Sequence, residues 1–287
     1  MERGASPVGV YDSGFGGLTV LRELRRTLPM LDYVYLGDSG RGPYGGRDLD
    51  TILDFAEQCV ERLFVEGCRV VVVACHTVSC VSLRHLHNRY GNAERRVLGV
   101  TIPAAEAAVA QTRGHIGFIG TARTVASHTF RTEVRKLDAS VRVTEAAAPL
   151  LAPIVEETWE ATDIAKLAVQ RYLGAFAEID TLVLGCTHYP LLECAFRELV
   201  PPGVAVLNPA PHVAQRFAAW RDRHPGLASD GAGNLRVLST GDPARFARHA
   251  GRFLGEPLPE VEHIAEHRGR LTLCPDGGEP LGQIVRE

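Results

Sequence analysis

The chain has 287 residues, 45% apolar and 23% charged, with a net charge of −3. That length points to two domains of about 150 residues or one large one, with apolar content enough for a sizeable core and against wholesale disorder. The near-neutral balance gives no bulk footprint for nucleic acid, runs such as Val70–Cys75 are too short to span a membrane, and Met1–Pro7 lacks the apolar region of a secretory signal, so the expected address is the cytoplasm.

Strand signals recur along the chain as short aliphatic runs, each ending in a Gly-, Ser-, Thr- or Asp-rich turn. They cover 8–11, 33–36, 70–74, 97–100, 115–119, 141–146, 181–184, 204–207 and 235–238. Helical patterns fall between most of them, at 18–28, 48–66, 78–90, 103–112, 124–137, 154–175, 191–199 and 213–223. This alternation predicts an α/β chain with parallel sheets flanked by helices. Ligands in such sheets bind beyond the carboxyl ends of the strands.

The pattern also carries an internal echo. Val8-Gly-Val-Tyr-Asp-Ser-Gly is followed by Val71-Val-Val-Ala-Cys-His-Thr, and His115-Ile-Gly-Phe-Ile-Gly-Thr by Leu182-Val-Leu-Gly-Cys-Thr-His. In each half, one strand ends in a hydroxyl residue, Ser13 or Thr121, and a later strand ends in cysteine, Cys75 or Cys186. Two similar halves of this kind place one thiol on either wall of a shared cleft. The turn at Gly14-Phe-Gly-Gly fails the dinucleotide fingerprint at Thr19. It still gathers backbone N–H groups at a helix start, where an anion can sit.

Composition removes several chemistries. Only Lys136 and Lys166 are lysines and no Gly-Lys pair exists, which excludes a Walker A loop. Both lysines fall on amphipathic helical patterns, which argues against a Schiff-base lysine for pyridoxal phosphate. The seven cysteines are odd in number and form no Cys-x-x-Cys, so neither a disulfide framework nor a metal site is expected. Cys75, Cys80, His85 and His87 fit no standard zinc spacing.

Two facing thiols suit one reaction in particular. Removing a proton alpha to a carboxylate needs a base on one face of the carbon, donors for the developing charge and an acid on the other face. When acid and base are alike, the roles exchange with direction and the result is racemisation. Contacts of roughly 3–3.5 Å on each face put the sulfurs about 6–8 Å apart. His188 stands ready to relay the proton of Cys186, or else only orients a turn. Asp12 stands ready to serve Cys75, or else only caps the helix starting near Gly16.

Six motifs in order carry a resemblance. They are Asp12-Ser-Gly-x-Gly-Gly-Leu-Thr-Val, Gly37-Asp-Ser-Gly-Arg-x-Pro-Tyr-Gly, Ala74-Cys-x-Thr, Gly120-Thr-x-x-Thr-Val, Pro149-Leu-x-x-Pro-Ile-Val-Glu-Glu and Leu184-Gly-Cys-Thr-His-Tyr-Pro-Leu-Leu. Together they resemble the glutamate racemase family, within the cofactor-independent aspartate/glutamate racemase superfamily, from about residue 8 to 250. The resemblance implies two pseudo-symmetric α/β lobes with the active site in the interlobe cleft. The first lobe would be 1–97 plus 208–265 and the second 98–207, with 266–287 a tail of unassigned role. It implies Cys75 and Cys186 as the acid/base pair, assisted by Asp12 and His188, with Glu156 behind the second thiol. Substrate contacts would come from Ser13, Pro43, Tyr44, Gly45, His76, Thr77, Thr121, Thr124 and Thr187. No cofactor is implied, and dimers are common in the family. The implied reaction interconverts L- and D-glutamate for peptidoglycan, with a related small carboxylate such as aspartate or a hydantoin as the alternative, and a weakly active binding or regulatory homologue as another. Two positions depart from the family pattern. His76 stands where asparagine is usual, and Asn208 where aspartate is common.

Overall fold

The computed structural model describes residues 6–274. Its strands in chain order are β1 (Val8–Asp12), β2 (Tyr33–Gly37), β3 (Val70–Val73), β4 (Arg96–Gly99), β5 (His115–Gly120), β6 (Arg142–Ala147), β7 (Thr181–Gly185), β8 (Ala205–Leu207), β9 (Leu235–Ser239), β10 (Val261–His267) and β11 (Arg270–Leu273). The helices are α1 (Leu18–Thr27), α2 (Leu49–Val65), α3 (His76–Tyr90), α4 (Thr101–Gln111), α5 (Ala122–Ala126), α6 (Thr129–Leu137), α7 (Leu151–Glu156), α8 (Asp163–Leu173), α9 (Glu193–Leu199), α10 (Ala210–Asp222) and α11 (Pro243–Leu254).

The strands form two sheets, one per lobe, in the orders β11-β10-β9-β2-β1-β3-β4 and β6-β5-β7-β8. Every pairing is parallel except the β10–β11 hairpin. The internal echo of the sequence is a repeat of topology. The order β2-β1-β3-β4 of the first sheet reappears as β6-β5-β7-β8 in the second. β1 and β3 are buried at every residue, as is β7. Parallel strands covered by helices on both faces read as continuous apolar runs for this reason. α1 buries Leu18, Leu21 and Leu24 along one stripe, the i, i+3 spacing of a helix packed on a sheet. The chain leaves the first sheet after β4 and returns to it after β8. No helix among the described residues is long and apolar enough to cross a membrane.

The structure departs from the sequence reading at four places. The helix expected at 124–137 is two helices, α5 and α6, because His128 takes a left-handed φ of 51° between them. The helix expected at 154–175 is α7 and α8, parted at Thr158 with φ 62° and restarted by Thr162, whose side chain accepts from Ala165 N–H. α11 was not anticipated. The tail expected from residue 266 begins as the end of β10 and all of β11, and Cys274 N–H extends the hairpin by donating to the His263 carbonyl at 2.9 Å. The remainder of that expected tail, 275–287, lies outside the described residues.

Candidate active site

The carboxyl ends of two neighbouring strand pairs make the site. In the first lobe β1 ends in Asp12 and runs on to Ser13, while β3, beside it, runs on to Cys75. In the second lobe β5 runs on to Thr121 while its neighbour β7 runs on to Cys186. Ser13 Oγ lies 3.5 Å from Cys75 Sγ, and His188 Nδ1 lies 3.9 Å from Cys186 Sγ. Both Ser13 and His188 line a single cavity of about 390 Å³, together with Pro43, Glu156, Arg245 and Phe246. Each thiol therefore touches a side chain that lines this cavity, although neither thiol is itself part of the lining. They are nearly but not wholly covered, at 5% and 7% exposure.

The lobes interlock at the site. Asp12, fully buried, accepts from Gly14 N–H at 2.9 Å and from Thr187 Oγ1–H of the other lobe at 3.3 Å. It thus orders its own turn and reaches across the cleft, whereas the start of α1 carries no side-chain cap. Thr19 Oγ1–H donates to the Thr187 carbonyl at 3.2 Å. Thr77 at the start of α3 meets Thr121 and Thr124 of the second lobe at 3.0 and 3.1 Å, and those two lie 2.8 Å apart. Arg123 N–H donates to the Gly45 carbonyl at 3.0 Å.

The two thiols sit in opposite electrostatic settings. Burial, and then the adjacent Asp12 charge, push the Cys75 thiol up to about 12, and a charge on Cys186 adds to the rise. Burial likewise raises the Asp12 carboxyl against the pull of His188 and the turn N–H groups. On the other wall, burial opposes a charged His188, but its bonds to Cys186 and Glu156 outweigh burial and hold the imidazole at about 10. Glu156 receives His188 Nε2–H at 2.9 Å. That bond and the His188 charge overcome burial and keep the carboxyl below its usual range. At neutral pH one wall therefore offers a protonated thiol and the other a sulfur facing an imidazolium.

Two sequence candidates look different in three dimensions. Tyr44 is buried, and its hydroxyl donates to Asp38 rather than facing the cavity. His76, the first residue of α3, is buried, and neither ring nitrogen finds a partner among the described residues. Burial pushes its imidazole down to about 4, so it is neutral. Asn208 acts locally, its Oδ1 accepting Ala210 N–H at 3.0 Å at the start of α10. Arg245 and Phe246 of α11 line the cavity and were missed from sequence. The signal was present in Asp242-Pro243 at one end of α11, where Asp242 accepts Arg245 N–H, and in Gly255 at the other, with φ 82°.

Comparison with known proteins bears on the family and the fold. The family model described as Asp/Glu/Hydantoin racemase matches residues 18–216. A glutamate racemase of Chlorobaculum parvum is 36% identical over 263 residues, 90% of this chain and 96% of that protein. The crystal structure of a glutamate racemase isoform from Bacillus anthracis superposes with a TM-score of 0.85 at 34% identity, over 92% of this chain and 98% of that one. A Thermus thermophilus glutamate racemase, solved in complex with β-chloro-D-alanine, superposes with a TM-score of 0.81 at 38% identity, over 91% and 97%. With six motifs in order and a repeated sheet, the chain belongs to the Asp/Glu/hydantoin racemase family and, within it, to the glutamate racemases.

Proposed function

We propose that the chain interconverts L- and D-glutamate by moving the α-proton between Cys75 and Cys186, and that its D-glutamate product serves peptidoglycan synthesis in the cytoplasm. The observation that carries the mechanism is the shared cavity, reached by Cys75 through Ser13 and by Cys186 through His188. We place the first lobe boundary near 99–100, where β4 leads into α4 and a little past the expected 97, and the second near 207–208, where β8 ends before α10.

A substrate carboxylate suits the start of α3. The N–H groups of His76, Thr77 and Val78 precede the first bond of this helix, from Ser79 N–H to the Cys75 carbonyl, and carry its positive dipole end. Thr77, Thr121, Thr124 and Thr187 add hydroxyl donors from both lobes. Neutral His76 donates one N–H to a carboxylate in place of the usual amide. One thiolate removes the α-proton, the thiol opposite delivers its own, and the planar intermediate gives either enantiomer. Asp12 orders the Cys75 wall, and His188 relays the proton of Cys186.

The direct test incubates purified protein with each glutamate enantiomer and follows optical rotation. Conversion from both sides to an equal mixture is expected. Turnover of aspartate or a hydantoin with none of glutamate would replace this reading with its relative. His76→Asn is expected to keep or raise the rate, and complete loss of turnover would remove the donor role of His76. The Glu156–His188 pair sets the pH response. His188 is protonated below about 10, and Glu156→Gln removes one cause of that high value. The alkaline limb of kcat/KM should then move to lower pH by about one unit. An unmoved limb would show that the pair does not govern the reacting state.

A further inference from the structure

Asp38 follows β2 and is fully buried, yet it touches none of the reacting groups. Its carboxylate gathers donors from distant parts of the chain. Arg41 Nε–H reaches both oxygens at 2.9 Å, Thr240 Oγ1–H donates at 2.6 Å, and the Tyr44 hydroxyl closes on the remaining side. Its backbone binds too: Asp38 N–H donates to the Asp12 carbonyl at 3.0 Å, and the Asp38 carbonyl accepts Gly42 N–H at 2.9 Å. Arg41 is held in turn by Gln58 at 2.5 Å and by the Phe55 ring, 4.1 Å from its guanidinium carbon.

The segment tied down in this way, 39–45, ends at the second lobe. The Gly45 carbonyl accepts Arg123 N–H at 3.0 Å, and a Cβ added at Gly45 would lie 2.9 Å from Thr121 Cβ. A contact this close fixes where Thr121 and Thr124 sit against Thr77.

We propose that Asp38, acting through Arg41 and Tyr44, is a positioning residue for the racemase reaction: it sets loop 39–45 as the seat on which the second lobe closes over the substrate. Tyr44 then belongs to this scaffold by its side chain, and serves the cleft only through the backbone it fixes. A buried carboxylate that loses one donor is left under-satisfied, and the loop it anchors relaxes. A seat out of place by a fraction of an ångström weakens binding of both enantiomers alike, because they share the cleft.

The inference rests on the glutamate racemase reading, and its test separates the two. Tyr44→Phe and Asp38→Asn are assayed with D- and L-glutamate beside the unaltered chain, with full pH profiles. In Tyr44→Phe, KM should rise about tenfold for both enantiomers, with a smaller fall in kcat. The pH limbs should stay in place, because the thiols and their partners are untouched. Asp38→Asn should move KM in the same direction and further. Simple loss of folded protein would lower kcat and leave KM unchanged. A KM within twofold of the unaltered chain in Tyr44→Phe, or a fall in kcat alone in both variants, would overturn the positioning role. An unaltered chain that fails to racemise glutamate would overturn the underlying reading and this inference with it.

Discussion

Cys75→Ala and Cys186→Ala should each lower racemisation in both directions by about a thousandfold or more. General acid/base groups contribute roughly 10²–10⁴-fold, and here each thiol serves as base in one direction and acid in the other. Neither can be spared, because every conversion loses a proton on one face of the α-carbon and gains one on the opposite face. The effects of the two variants should not add. Once one wall lacks its sulfur the conversion is already broken, so the double variant should be little worse than either single one. Stability should change far less than rate, since each replacement removes one sulfur from a pocket that already borders a cavity. Racemisation within tenfold of the unaltered chain in either variant would mean that the missing thiol is a bystander.

Gly16→Ala should cost about a hundredfold in kcat/KM without removing any reacting group. Gly16 lies in the turn between β1 and α1, against the second lobe. A Cβ there would fall 2.2 Å from Thr187 Oγ1 and 2.6 Å from His188 Nδ1. Neither side chain is free to step aside. Thr187 is bonded to Asp12, and His188 is held between Cys186 and Glu156. The added methyl therefore breaks those pairs or wedges the lobes apart. A misplacement of about 1 Å is enough for a hundredfold loss, and overpacking of this kind typically costs about 1–3 kcal/mol of stability. Kinetics and thermal unfolding measured together check the prediction. A variant with kcat/KM within threefold of the unaltered chain would show that the turn yields and that His188 does not need its present place.

Much of this arrangement is legible in the sequence. Strand tips can be read because a buried parallel strand is a run of apolar residues that stops where polar ones begin. Asp12, Cys75, Thr121 and Cys186 all stand at such stops, and the repeated spacing foretells the repeated sheet. Contacts formed by distant segments cannot be read in that way. Tyr44 resembles a substrate contact in sequence, whereas its hydroxyl is taken by Asp38, which also binds Thr240 some two hundred residues further on. Helix breaks at His128 and Thr158 turn on left-handed backbone, which histidine adopts only in a minority of cases and β-branched threonine rarely. The β10–β11 hairpin escapes notice because it is charged and only partly buried, so its alternation is faint. α11 is a different case, since Asp242-Pro243 and Gly255 bracket it plainly.

The most direct measurement is α-proton exchange in heavy water, followed by proton resonance, for each glutamate enantiomer with each single-cysteine variant. If the sulfurs stand on opposite faces of the α-carbon, the thiol left in each variant can reach the hydrogen of one enantiomer only. Cys75→Ala should then exchange one enantiomer without inverting it, and Cys186→Ala the other. Exchange of both enantiomers by either variant, or undiminished exchange when both thiols are gone, would contradict the two-sided mechanism.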